Sequence, residues 1–262
     1  MVDSHAALSG RRILVTRALD QAQEMVDRIG YYGGTPVHVP VITYQGVDET
    51  ASEHQAWNES VRQANWVMLT SQNALDFLMK QTDRDSLTEV KWACVGKKTA
   101  QRLETYGFQA DFQPRDFTAA QLTQSFVAVH PEAARIVVPL GSLSGTTWLA
   151  PLRQIAAVTT RVVYETLPYA ASREQLQALV SSGKLDALAF ASPSAVSFFT
   201  QLLDAKQWHH AFNHCLAAAI GPSTARAIEK IGYFPEVIPT NHTARALIDA
   251  LADYYSKEKE VF

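Results

Sequence analysis

Cysteine is scarce. The 262-residue chain has two, Cys94 and Cys215, each inside an apolar run and neither in a CxxC or Cys/His spacing. That excludes a disulfide framework, and both thiols are expected to be buried and reduced. No apolar run approaches the roughly 20 residues of a membrane span. The opening stretch MVDSHAALSGRRILV lacks the apolar core of a secretory signal. A cytoplasmic protein with no membrane partner is expected. Neither charge dominates: 23 basic residues face 26 acidic ones, a net charge of −3. General nucleic-acid binders carry a strong basic excess, so no nucleic-acid partner is expected, whereas an acidic ligand in a local pocket stays open. Walker loops, dinucleotide fingerprints and hydrolase triads are all absent. Gly141-Ser142-Leu143-Ser144-Gly145 has its serines at the second and fourth positions, not at the centre that a G-x-S-x-G elbow requires. His54, His130, His209, His210, His214 and His242 show no ligand spacing, so no metal is expected.

What is present is ordinary globular composition, 47% hydrophobic and 19% charged, and an internal repeat. Ser71 in Leu69-Thr70-Ser71-Gln72-Asn73-Ala74 aligns with Ser192 in Phe190-Ala191-Ser192-Pro193-Ser194-Ala195, 121 positions on. Val95-Gly96-Lys97-Lys98-Thr99-Ala100 aligns with Ile220-Gly221-Pro222-Ser223-Thr224-Ala225 at an offset of 125. That offset also carries Gly107 onto Gly232, Pro114 onto Pro239 and Thr118 onto Thr243. Arg12-Ile13-Leu14-Val15 faces Arg135-Ile136-Val137-Val138 at 123. Blocks in one order at nearly one offset indicate duplication.

Short apolar runs of strand length lead into stretches with helical spacing. Gly107 and Gly232 stand where a helix ends, and Thr118 and Thr243 where one begins. Strands alternating with helices predict parallel sheets covered on both faces, and two copies predict two such domains. Thr35–Tyr44 and Thr160–Tyr169 are extended, proline-punctuated crossovers, and the tail Lys257–Phe262 is expected to fray.

Ser71 and Ser192 follow strands, while Thr99 and Thr224 fall in the first turn after a glycine. In an open parallel sheet these carboxyl ends bind ligands, and the helix N-termini there favour carboxylate or phosphate. Each hydroxyl alone reads equally well as a helix cap. Recurrence in both copies favours matched anion-binding edges that enclose a cleft for a polyanion.

These segments, with Ile13-Leu14-Val15-Thr16-Arg17 and Tyr164-Glu165-Thr166, resemble the uroporphyrinogen-III synthase family from about Ile13 to Leu251. The resemblance implies two flavodoxin-like α/β domains joined by a two-stranded linker ladder. One is discontinuous (1–38 plus 169–262), one continuous (45–160), with linker strands at 39–44 and 161–168. It implies a cofactor-independent reaction in which the linear tetrapyrrole hydroxymethylbilane loses water and closes with its terminal pyrrole inverted. It also implies a monomer that can receive its substrate from the preceding pathway enzyme.

By the same resemblance Tyr164 assists departure of the hydroxyl; the alternative is a tyrosine packing a strand face. Ser71, Thr99, Ser192 and Thr224 line the cleft and hold substrate carboxylates, helped by backbone N–H groups around Lys97, Lys98, Ser194 and Ser223. Lys97 and Lys98 add charge or are simply solvated, and Arg17 faces the cleft. Two departures stand out. Ala18 replaces a common proline, and Leu140-Gly141 with its following residues lacks two arginines that many members carry. A catalytically weakened two-domain protein that binds a small polyanion is therefore the alternative.

Overall fold

The computed structural model describes residues 6–18, 21–132 and 134–261, with side chains through Lys257. The chain begins with β1 (Arg12–Val15), α1 (Gln23–Tyr31), β2 (Thr35–His38), β3 (Ile42–Gly46) and α2 (Ala51–Arg62). It continues through β4 (Trp66–Leu69), α3 (Gln72–Gln81), β5 (Lys91–Cys94), α4 (Lys97–Glu104) and α5 (Ala119–Val129). Next come β6 (Arg135–Gly141), α6 (Leu152–Ile155), β7 (Ala157–Pro168), α7 (Arg173–Ser181) and β8 (Ala187–Phe190). The chain closes with α8 (Pro193–Leu202), α9 (Ala205–His214), β9 (Leu216–Ala219), α10 (Pro222–Glu229) and α11 (Ala244–Val261). The tail expected to fray thus belongs to α11 as far as Val261, and Phe262 lies outside the described residues.

Two compact units result, one from residues up to Thr43 with those from Leu167 on, the other Tyr44–Thr166. The first has a four-stranded sheet in the order β2-β1-β8-β9, with β1 parallel to β2 and β8, and β8 parallel to β9. Strand order 2-1-3-4 is that of flavodoxin-like sheets. The second has the order β3-β7-β6-β4-β5, parallel from β7 through β5. Beyond β9 and beyond β5 a single parallel bridge continues each sheet, Ala218 to Val237 and Ala93 to Phe112.

Period-2 side-chain alternation puts apolar residues on both faces of each sheet, so each face needs a helical cover. In the first unit Ile13 and Val15 pack with Met25, Ile29, Leu247 and Leu251 of α1 and α11. Opposite them Phe190, Phe199 and Phe212 form edge-on and stacked pairs. In the second unit Val67 and Leu69 pack with α2, α3 and α4, while Trp66 and Met68 pack with Leu122 and Phe126 of α5.

The caps follow the sequence. Thr118 accepts from the Gln121 N–H and Thr243 from the Ala246 N–H. Gly107 and Gly232 take φ of +86° and +88°, which only glycine adopts without strain. The amino ends of the strands are pinned in matched pairs as well. Asp186 accepts from the Arg12 N–H, and Asn65 from the Arg135 N–H. Glu236 accepts from the Ala217 N–H, and Asp111 from the Trp92 N–H. Cys94 is buried but Cys215 only half-buried, against expectation. Burial still raises the thiols to about 12 and about 11, so both stay protonated near neutral pH.

A repeat copy is not the same as a compact unit. The aligned blocks match β1 with β6, β4 with β8 and β5 with β9, yet β1 sits beside β8 and β6 beside β4. Each unit therefore joins the opening βαβ part of one copy to the remainder of the other. In the second unit the opening strands β6 and β7 come last in sequence. A segment spanning Tyr44–Thr166 holds nearly all of one sheet with helices on both faces, so it should melt cooperatively when expressed alone. A fragment 1–130, one repeat copy, holds pieces of two sheets and should show no cooperative melt as a monomer. A sharp calorimetric transition from monomeric 1–130 would contradict the exchange.

Candidate active site

Because every strand of a parallel ladder runs the same way, the helices that follow begin along one edge of the sheet. In the second unit β4 leads through Ser71 into α3. Ser71 is extended (φ −157°), and its Oγ accepts from the Ala74 N–H at 3.0 Å. β5 leads through Gly96 into α4, and no side chain caps that helix. Gln72 Nε2 donates to the Lys98 carbonyl at 3.1 Å, tying the two helix starts together. Lys97 and Lys98 are exposed, whereas Thr99 is buried.

Tyr164 reaches the same edge from β7. The β6–β7 ladder shifts register between Leu140 and Gly141, which pairs Gly141 with Tyr164. The ring lies flat on Phe77, centroids 5.3 Å apart, and edge-on to Tyr44 at 5.7 Å. It also lies against Gly141, where a Cβ would stand 2.4 Å from Cζ and 2.5 Å from the hydroxyl. Ser71 and Asn73 of the α3 start stand beside the phenol. Burial raises its pKa above the ordinary tyrosine value near 10, and those two side chains pull the other way. The group is thus a protonated O–H donor throughout the neutral range.

The first unit repeats the edge without the tyrosine. Ser192 Oγ accepts from the Ala195 N–H at 3.1 Å and lies 3.0 Å from Ser194 Oγ. Gly221 starts α10 with no side-chain cap. Ser223 is exposed, but Thr224 is fully buried and its Oγ1 has no hydrogen-bond partner. Arg17 is half-buried after β1, where Nη2 donates to Gln21 Oε1 at 3.2 Å and its carbonyl meets His38 Nε2 at 2.9 Å. The structure therefore brings together Tyr164 and Ser71 with the starts of α3 and α4. Separately it groups Ser192 and Ser194 at the start of α8, which packs against α10 with Ser223 and Thr224.

Sequence reasoning missed Asn73, Phe77, Tyr44 and Gly141. The available signal was the Gly141 position itself, noticed only for the arginine missing beside it. Leu140 is a buried core residue, so that position carries no cation into the site. Ser142 and Ser144 take up turn duties: Ser142 Oγ accepts from the Thr166 N–H, and Ser144 Oγ from the Gly141 N–H.

The family described as uroporphyrinogen-III synthase HemD matches residues 23–249. The chain belongs to this family. These enzymes are the cyclising lyases of tetrapyrrole biosynthesis. A uroporphyrinogen-III synthase of Chlorobaculum parvum is 28% identical over 253 residues, covering 93% of this chain and 98% of the relative. The solved Helicobacter pylori uroporphyrinogen-III synthetase superposes with a TM-score of 0.63 at 12% identity, covering 93% of this chain and 99% of that one. A triple mutant of the Thermus thermophilus enzyme gives 0.59 at 18%, covering 95% and 99%. Both structures share the two-unit α/β fold.

Gly141→Ala tests the packing of the tyrosine. Gly141 has no positive φ, so the added methyl acts only by displacing the Tyr164 ring. The variant should lose about 1–3 kcal/mol of stability, read from the urea midpoint, and an unchanged midpoint would contradict the packing. The raised phenol pKa makes a second prediction. Its stabilising contribution is complete below pH 10 and disappears as pH rises through the folded-state value. Tyr164→Phe should abolish that high-pH loss, as followed by denaturant melts across alkaline pH.

Proposed function

We propose that the chain cyclises hydroxymethylbilane to uroporphyrinogen III, and that the buried, protonated phenol of Tyr164 at the carboxyl edge of the second sheet is its proton donor. The substrate's electron-rich pyrrole expels its terminal hydroxyl, and the Tyr164 O–H donates to the departing oxygen, so water leaves and an azafulvene cation forms. The substituted carbon of the terminal pyrrole attacks that cation to give a spiro intermediate. That carbon's bond to the neighbouring bridging carbon breaks, leaving a second azafulvene cation there. The free α-carbon of the same ring bonds to that bridging carbon and loses its proton to the Tyr164 phenolate, so the macrocycle closes with the ring inverted and the phenol restored. Closure without inversion needs no enzyme. The protein's contribution is therefore orientation, worth up to about 7–11 kcal/mol when reacting atoms are held in near-attack geometry.

Orientation falls to the carboxylate holders. The Lys97 N–H at the start of α4 and the Ser223 N–H at the start of α10, behind Gly96 and Gly221, suit the acid side chains through hydrogen bonds and the helix dipole, while the Thr99 and Thr224 N–H groups donate to the Gly96 and Gly221 carbonyls. Ser71 and Ser192 fix the starts of α3 and α8, while Ser194, Ser223 and Lys97 stand at the same first turns. Thr224 adds an unpartnered hydroxyl. Burying such a group costs about 1–3 kcal/mol, a cost that substrate or an ordered water arriving at α10 removes. Arg17 supplies charge at the first unit's edge. No cofactor is called for. The chain works as a cytoplasmic monomer and takes its substrate from the enzyme that makes it. The apolar Leu140 favours the second reading, a polyanion-binding relative with weakened catalysis.

Incubation with fresh hydroxymethylbilane, oxidation and separation of isomers decides between them. The wild-type chain should give the inverted isomer faster than spontaneous closure; the uninverted isomer alone, at the background rate, rules catalysis out. Tyr164→Phe should lower kcat by about tenfold or more. Thr224→Val should leave stability unchanged or higher, since it removes a buried unpaired hydroxyl, while turnover falls. Full turnover in Thr224→Val would remove that hydroxyl from the mechanism.

A further inference from the structure

Phe117 is an apolar residue in an unusual place. It is 55% exposed, and it lies on Gly96, where a Cβ would meet its Cβ, Cγ and Cδ1 at 3.0–3.1 Å. Gly96 is the residue that starts α4 without a side-chain cap. An exposed aromatic face therefore stands beside uncapped first-turn N–H groups. The first unit carries the same arrangement at the 125-residue offset with a different ring. There His242 lies on Gly221 at 3.0–3.4 Å, at the start of α10. Duplication kept the position and changed its chemistry.

A ligand suited to both parts of such a place has an acid group for the N–H donors and, a few bonds away, a flat apolar ring for the phenyl face. A pyrrole bearing acid side chains has this form, and its electron-rich face or edge packs on phenylalanine with offset or edge-on geometry. Resting on the cyclisation proposed above, we propose that Phe117 is a substrate-contact residue: its exposed ring packs against a pyrrole whose carboxylate is held by the first turn of α4. The assignment explains why an apolar side chain stays open to solvent at that edge. It also explains why residue 96 has no side chain: Gly96 leaves room for the phenyl ring. His242, a hydrogen-bonding ring at the matched position, gives the other unit a more polar contact, so the two edges are not interchangeable for the substrate.

Steady-state kinetics with hydroxymethylbilane test this. Phe117→Ala should raise KM so that kcat/KM falls about tenfold, with the melting temperature held because the ring is largely exposed. Phe117→Tyr should restore it. Gly96→Ala is compatible with the extended backbone there (φ −176°). It should push the ring aside and lower kcat/KM about threefold in the wild-type background and not at all in the Phe117→Ala background. Unchanged kcat/KM in Phe117→Ala, beside a wild-type chain that makes the inverted isomer, overturns the contact and leaves the cyclisation standing. Additive losses in the double variant overturn it too. A wild-type chain no faster than spontaneous closure removes both.

Discussion

The direction of the strands governs this structure. In each unit the parallel strands deliver their helices to one edge, so helix N-termini collect there with their unpaired N–H groups and positive dipole ends. The residue at each helix start then decides what that end can do. Ser71 and Ser192 use their own side chains to satisfy the first turn. Gly96 and Gly221 do not, and an uncapped start is what an acid group can occupy. The same pattern on both sheets suits a substrate that carries carboxylates along its length.

On this frame the second unit adds one special residue. Tyr164 is fixed by Phe77, Tyr44 and the bare backbone of Gly141, with Ser71 and Asn73 beside its hydroxyl. A buried phenol held on three sides keeps its proton and its aim, which is what hydrogen-bond donation to a leaving hydroxyl needs. Strong acid or base machinery is unnecessary for a leaving group that the pyrrole itself expels. The chemistry asks more of geometry than of pKa, and the site is correspondingly poor in carboxylates and rich in backbone and hydroxyl donors.

Local features were legible in the sequence because they depend on neighbours in the chain. Ser71, Ser192, Thr118 and Thr243 are caps by their spacing to the next helix, and Gly107 and Gly232 are left-handed turns by position. The repeat, and with it the α/β sheets, was legible for the same reason. What stayed hidden depends on pairing across long sequence distances. Gly141 makes room for Tyr164 only because β6 and β7 slip register at that point. The β1–β8 and β6–β4 pairings separate the repeat copies from the compact units, and no local pattern records them. Thr224 shows the limit most plainly: its alignment with Thr99 marked it as notable, but nothing in the sequence showed a hydroxyl buried without a partner.

The central claim is that backbone groups at the carboxyl edges of the sheets, rather than exposed lysine side chains, hold the acid groups of the substrate. Backbone-amide NMR of the isotope-labelled chain, titrated with the cyclised carboxylate product, addresses it residue by residue. The account predicts that the largest amide shifts fall at the helix starts, on Lys97 and Ser223, and persist when Lys97 and Lys98 are replaced by alanine. Shifts confined to the opposite edges, around Asn65, Asp186 and Glu236, or lost with the two lysines, would contradict it.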